Sequence, residues 1–264
     1  MISINQINQK EYVIPNDLND ISSINSFLDF NKGKPTVVVQ GLGFVGAVMS
    51  IVCANAINEE YAVIGVDLPT QNSYWRIKSI NEGVFPVVSS DSKVEDYFKI
   101  SRKKNNFLAT YDVYAYSKAD VIIVDVNLDV QKEKKINGEL ESFNVDLNAF
   151  KKAIYAISDN CKEDVLILIE TTVPPGTTES VVKPIIDESF TKRGLSISKY
   201  KLGHSYERVM PGPNYIDSIQ NFYRVYSGIN DISAIEVESF LKTIISTKEY
   251  PLTKLGNTNA TEMA

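Results

Sequence analysis

Residues 36–46 read TVVVQGLGFVG, a β-branched run from Thr36 to Gln40 followed at once by Gly41, Leu42, Gly43, Phe44, Val45 and Gly46. The run predicts a buried strand, and Val45 to Asn58 behind it has the apolar content of a packed helix. The G-x-G-x-x-G spacing between them has a mechanical meaning. Gly41 allows the tight strand-to-helix turn, Gly43 has no side chain to hold a pyrophosphate off the backbone, and Gly46 lets helix and strand pack closely. The first N–H groups of the helix, at Gly43, Phe44 and Val45, then face an anion with the positive end of the helix dipole behind them.

Outward from this turn, a second strand, Ala62 to Asp67 (AVIGVD), ends on an acid. A carboxylate there accepts hydrogen bonds from the adenosine ribose and repels a 2′-phosphate, and neither Leu68 nor Pro69 supplies a cation, so NAD is expected rather than NADP. Further buried strands are expected at Val121 to Val126 and Val165 to Ile169, with weaker ones at Phe107 to Ala109, Tyr200 to Gly203 and Tyr223 to Ser227. Helices are expected at Tyr74 to Asn81, Leu147 to Ser158, Thr178 to Phe190 and Ile232 to Ile245, the last with Ile235, Phe240 and Leu241 on its inner side. This alternation is that of an α/β fold, a Rossmann-like doubly wound parallel sheet. The charged stretch Asp129 to Glu141 (DVQKEKKINGELE) is expected to be a mobile loop. The organisation expected is a polar N-terminal extension over 1–35 with a short helix around Ile21 to Leu28, a dinucleotide-binding domain over 36–256, and the start of a further helix over 257–264.

Composition limits the partners. The chain has 264 residues, 44% of them hydrophobic, and 27 Lys and Arg against 33 Asp and Glu give a net charge of −6. No bulk positive field draws it to nucleic acid or anionic lipid. No apolar run approaches the roughly 20 residues of a membrane span and the first residues are polar, so a cytoplasmic protein is expected. Cys53 and Cys161 stand far apart and His204 is the only histidine, which argues against a disulfide framework, a histidine metal site or a histidine triad.

Three later segments narrow the chemistry: Glu170 to Thr178 (ETTVPPGTT), Ser205 to Gly212 (SYERVMPG) and Arg224 to Gly228 (RVYSG). With the glycine loop ahead of them, the chain resembles the N-terminal domain of the UDP-glucose/GDP-mannose dehydrogenase family, the NAD-dependent nucleotide-sugar 6-dehydrogenases. These segments are similar to the family's S-T-V-P-P-G-T-T, S-P-E-R-V-x-P-G and R-V-I-G-G. A hydroxyacid or 6-phosphogluconate dehydrogenase shares GLGFVG but does not explain SYERVMPG. The resemblance implies oxidation of the C6 alcohol of a UDP- or GDP-sugar to a uronate for polysaccharide synthesis, with a nucleotide sugar as partner and a homodimer in the full-length enzyme. It implies that Glu207 acts on water and proton transfer, and that Glu207 and Arg208 meet the substrate. Thr171 and Thr172 stand after a strand, where their hydroxyls can donate to ribose or nicotinamide, or else satisfy nearby backbone.

Two departures qualify the resemblance. The family's V-P-T-P threonine falls on Leu128, which has no hydroxyl, leaving Asn127 or Asp129 as replacements. The family's lysine and asparagine, and the cysteine of its G-G-H-C-I-P motif, are expected beyond Thr261, Glu262 and Met263. Neither Cys53 nor Cys161 matches that nucleophile, so this stretch is expected to be inactive alone. A catalytically silent NAD-binding or partner-binding module is the alternative.

Overall fold

The computed structural model describes residues 1–264 other than Asp129, Ile136 and Glu207. In chain order, a short hairpin of β1 (Ile2–Ile4) and β2 (Glu11–Val13) precedes α1 (Ile21–Phe30). Then come β3 (Thr36–Gln40), α2 (Phe44–Ala54), β4 (Ala62–Val66), α3 (Tyr74–Glu82), α4 (Ser92–Lys104) and β5 (Phe107–Thr110). A 3-10 turn (Val113–Lys118) leads to β6 (Val121–Val124), the hairpin β7 (Val130–Lys134) and β8 (Leu140–Val145), α5 (Asn148–Ser158) and β9 (Leu166–Ile169). A π turn (Thr178–Val182) opens α6 (Lys183–Lys192), followed by β10 (Lys201–His204), α7 (Tyr215–Gln220), β11 (Val225–Gly228), α8 (Asp231–Ile244), β12 (Thr253–Lys254) and α9 (Thr258–Met263).

The main sheet runs β12-β11-β10-β9-β6-β3-β4-β5. From β5 to β10 every pair is parallel, and β11 then runs antiparallel to β10. Read from β5, the six parallel strands have the 3-2-1-4-5-6 order of the doubly wound dinucleotide fold, with the strand order reversing between β3 and β6. That reversal opens a crevice at the carboxyl ends of the two strands, and the glycine loop leaves β3 there. All five residues of β3 and of β4 are buried, as a sheet covered on both faces requires. One apolar layer, with Val37, Val39 and Met49, packs under α2, α3, α4 and α8, and the other, with Val38, Ile64 and Phe150, under α1, α5 and α6. The strands sit within a residue or two of their expected places, and so do most of the helices.

Four features differ from expectation. Strands β7 and β8 pair as an antiparallel hairpin where a loop was expected, with Val130 opposite Val145 and a bulge at Glu133 and Lys134. The turn at Asn137 and Gly138 (φ 85°) closes it, and the charge run obscured that signal. Helix α4 is absent from the sequence reading, although Asp91 caps it by accepting from the Lys93 N–H at 3.0 Å and Val94 and Phe98 form its buried stripe. Ile235 is 59% exposed, because the inner face of α8 is Ala234, Val237, Leu241 and Ile244 and the next residue points about 100° away. The N-terminal extension carries the β1–β2 hairpin, absent from the sequence reading, and meets α3 and the turn before it: Ser3 Oγ donates to the Gln71 carbonyl at 2.7 Å, and Asn5 Nδ2 donates to Ser79 Oγ at 2.8 Å.

Among the described residues, no helix is long and apolar enough to cross a membrane, and no group of three or more His, Cys, Asp or Glu is placed to hold a metal ion.

Candidate cofactor and substrate site

The three glycines of the loop have three different surroundings. Gly41 has φ +98°, and a Cβ there would lie 2.4 Å from the Asp125 carbonyl oxygen of the neighbouring strand end. At Gly46 a Cβ would meet the Gly41 carbonyl oxygen at 1.9 Å. Both are therefore required by the fold itself. A Cβ on Gly43, by contrast, would meet no heavy atom within 4 Å. Gly43 is the N-cap of α2, so this open space faces the helix's unbonded first-turn N–H groups, which is the cradle a pyrophosphate needs. Phe44 is exposed and Val45 half-buried beside it.

Asp67 follows β4 directly. Its Oδ1 accepts from the Leu68 N–H at 2.7 Å and its Oδ2 from the Leu42 N–H at 3.2 Å, which ties the acid to the glycine loop. Arg76 of α3 reaches the same Oδ2 at 3.4 Å. Burial pushes the Asp67 carboxyl above its usual range, opposed by the Leu68 N–H and the Arg76 guanidinium. No residue next to Asp67 in sequence supplies a cation, but the first turn of α3 brings Arg76 back to the strand end.

The hydroxyl of Thr171 donates to the Val124 carbonyl at 3.0 Å and accepts from the Val126 N–H at 2.9 Å, bracing the end of β6. Thr172 is exposed next to it. Leu128 is packed against the apolar layer that holds α5 and α6. Glu207 and Asp129 lie outside the described residues.

The three motif segments converge on one buried ion pair. Arg224 Nη1 donates to Glu170 Oε1 at 3.1 Å, with the two side chains 1% and 0% exposed. The same nitrogen donates to the Ser205 carbonyl at 3.2 Å and the Tyr206 carbonyl at 3.0 Å. Beyond them the Arg208 guanidinium lies over two rings, 5.4 Å from the centre of Tyr206 and 5.1 Å from that of Phe222, and donates to the Tyr206 hydroxyl at 3.0 Å. Phe222 also lines a cavity of ≈ 360 Å³ with Met210, Asn214 and Asp217. Tyr215, at the start of α7, donates to the Phe44 carbonyl at 2.6 Å and links this region to the glycine loop.

Three buried groups stand apart from ligand chemistry. His204 Nδ1 is 2.9 Å from Thr261 Oγ1 of α9, and burial lowers the imidazole pKa to about 4. Both cysteines are buried and free, burial raising Cys161 to about 11 and Cys53 well above its ordinary value. A buried thiol of raised pKa is a poor nucleophile.

A sequence profile of the UDP-glucose/GDP-mannose dehydrogenase family, NAD binding domain, matches residues 35–244. The chain is 24% identical to UDP-N-acetyl-D-mannosamine dehydrogenase of Pyrococcus horikoshii over 229 residues, 86% of this chain and 48% of that protein. It is 26% identical to UDP-N-acetyl-D-glucosamine 6-dehydrogenase of Pseudomonas aeruginosa over 211 residues, 80% of this chain and 44% of that one. The chain thus spans about half the length of the curated relatives it matches. Its fold is similar to that of NDP-N-acetyl-D-galactosaminuronic acid dehydrogenase from Methanosarcina mazei Go1, with a TM-score of 0.75 at 22% identity, over 91% of this chain and 48% of that one. With its sheet order, glycine loop and matched span, the chain belongs to the UDP-glucose/GDP-mannose dehydrogenase family of oxidoreductases, in the NAD-binding domain.

Proposed function

We propose that residues 1–264 are the NAD-binding half of a nucleotide-sugar 6-dehydrogenase that oxidises the C6 alcohol of a UDP- or GDP-sugar to a uronate. The observation that carries this reading is the meeting of ETTVPPGTT, SYERVMPG and RVYSG at Arg224, along the same carboxyl edge of the sheet as the glycine loop. NAD, when bound, accepts hydride from the alcohol carbon. The N–H groups of Gly43, Phe44 and Val45 hold its pyrophosphate, with Gly41 and Gly46 keeping the turn closed. Asp67 accepts from the adenosine ribose hydroxyls, and Thr171 and Thr172 flank the nicotinamide end.

Glu207 serves as general base toward water, and Arg208, held between two aromatic rings, offers a fixed cation to the substrate. Neither cysteine suits a covalent step, so the thiol that holds the aldehyde belongs to a part of the enzyme outside residues 1–264. On this reading α9, anchored through Thr261 on His204 and through the Glu262 carboxylate, which accepts from the Gly176 and Thr178 N–H groups, begins the helix that leads there.

Calorimetry tests the proposal. NAD is expected to bind residues 1–264 at least about tenfold more tightly than NADP, and Asp67→Asn to narrow that ratio. Equal affinity for the two would overturn the assignment of Asp67. With UDP-glucose and NAD, residues 1–264 are expected to give no sustained NADH, and turnover through many cycles would refute the division of labour. In an enzyme form that includes the thiol, Glu207→Gln is expected to slow turnover about a hundredfold and to leave a covalent adduct visible by intact mass. No adduct and unchanged turnover would remove Glu207 from the mechanism.

A further inference from the structure

Arg224 sits just before β11, at the same carboxyl edge of the sheet as the glycine loop but beyond β6 and β9 from it, and the cofactor reading gives it no task. It is nonetheless among the largest fully buried side chains of the protein. A buried guanidinium is costly unless its charge is matched and its N–H groups are bonded. Glu170, at the end of β9, supplies the charge at 3.1 Å. The remaining bonds of the same Nη1 go to two successive backbone carbonyls, those of Ser205 and Tyr206, where the chain leaves β10.

Those carbonyls come at the start of the SYERVMPG loop. Ser205 is held from three sides: its N–H donates to the Ile169 carbonyl at 3.1 Å, its hydroxyl donates to the Val225 carbonyl at 2.8 Å, and its own carbonyl accepts from Arg224. The far end of the loop is fixed separately, by Met210 N–H on Ser218 Oγ at 3.1 Å and Ile216 N–H on Asp91 Oδ2 at 3.0 Å. Between these anchors Arg208 rests on Phe222, Val209 packs against the core, and Arg224 is the one cation bonded to both carbonyls among the described residues.

We propose that Arg224 is a positioning residue: braced by Glu170, it sets the carbonyls of Ser205 and Tyr206 and so the way the chain enters the SYERVMPG loop from β10. The positioning stands on the geometry alone, and its consequence for nucleotide-sugar binding rests on the function proposed above. Arginine suits the task because its planar, permanently charged guanidinium points Nη1 in one fixed direction, at the Glu170 carboxylate and both carbonyls, whereas a lysine offers one rotating point charge.

Peptide-resolved amide hydrogen exchange on residues 1–264 tests this with two variants. In Glu170→Gln/Arg224→Met both charges leave together, so no unpaired ion stays buried and the unfolding midpoint is expected within a few degrees of the unaltered protein. NAD affinity is expected to stay within about twofold. The 205–212 peptide is nevertheless expected to exchange at least about tenfold faster, with β9 and β3 unchanged. Arg224→Lys keeps a cation for Glu170 and is expected to fold in any case, with loop exchange raised at least about threefold.

Loop exchange unchanged in both variants would overturn the proposal. So would a rise spread equally over the strands, which marks a purely structural pair. UDP-glucose titration separates the two readings. Faster loop exchange with a weaker complex supports both, whereas faster loop exchange with UDP-glucose affinity unchanged keeps Arg224 as the positioning residue and overturns the assignment of the loop to substrate.

Discussion

The glycine loop after β3 and the loop after β10 lie along one edge of the sheet, but they are held by different means. The first is held by backbone: Gly41 and Gly46 approach carbonyl oxygens so closely that no side chain fits, and the helix they start offers N–H groups to a ligand. The second is held by side chains distant in sequence, Glu170 and Arg224, with Tyr215 joining it to the first through the Phe44 carbonyl. A site for a constant cofactor can be made from the main chain, which no substitution elsewhere alters. A site whose ligand varies within a family benefits from side-chain supports that can be exchanged without rebuilding the sheet.

That contrast can be broken most forcefully at Gly46. Gly46→Val places methyl carbons where the Gly41 carbonyl stands, and a loss of roughly 4 kcal/mol or more is expected in denaturant titration. A stability near that of the unaltered protein would show that the loop is not held by backbone contact.

On the side-chain half, Arg224→Met alone removes one charge of the buried pair and keeps the other, and a loss of roughly 3–5 kcal/mol is expected. Here the pair variant recovers stability, which no second substitution is expected to do for Gly46→Val.

A smaller effect is expected at His204, which joins β10 to α9. Its pKa is lowered from 6.5 to about 4 in the folded protein, so the unfolded chain takes up the proton first as pH falls. The associated stability, roughly 3 kcal/mol, is fully present above pH 6.5 and is lost between there and about pH 4. His204→Gln is expected to flatten that part of the stability–pH curve, and an unchanged curve would place the titration elsewhere. The mildest expectation concerns the thiols. Neither Cys53 nor Cys161 is expected to react with a thiol reagent until the protein unfolds, and fast labelling of the native state would contradict their burial.

Much of the backbone half was legible in the sequence. Strand β3, the three glycines and Asp67 obey rules of local conformation and spacing, and parallel strands buried on both faces appear as unbroken apolar runs. The side-chain half was legible only as motifs. Nothing in RVYSG states that its arginine turns inward to meet Glu170 54 positions earlier. Arg76 was hidden for the same reason, since its approach to Asp67 depends on the turn between β4 and α3. Helix α4 and the 130–145 hairpin were missed where charged outer faces outweighed a sparse buried stripe and an Asn-Gly turn. Ile235 was misplaced because a helix with apolar residues on several sides does not declare which side is covered.

The central claim is that the backbone half binds NAD through the space left open at Gly43, and Gly43→Val tests it most directly. A Cβ there meets no heavy atom within 4 Å, so the unfolding midpoint is expected to stay within a few degrees while NAD affinity in calorimetry falls at least about a hundredfold. NAD bound as tightly by Gly43→Val as by the unaltered chain would contradict the account.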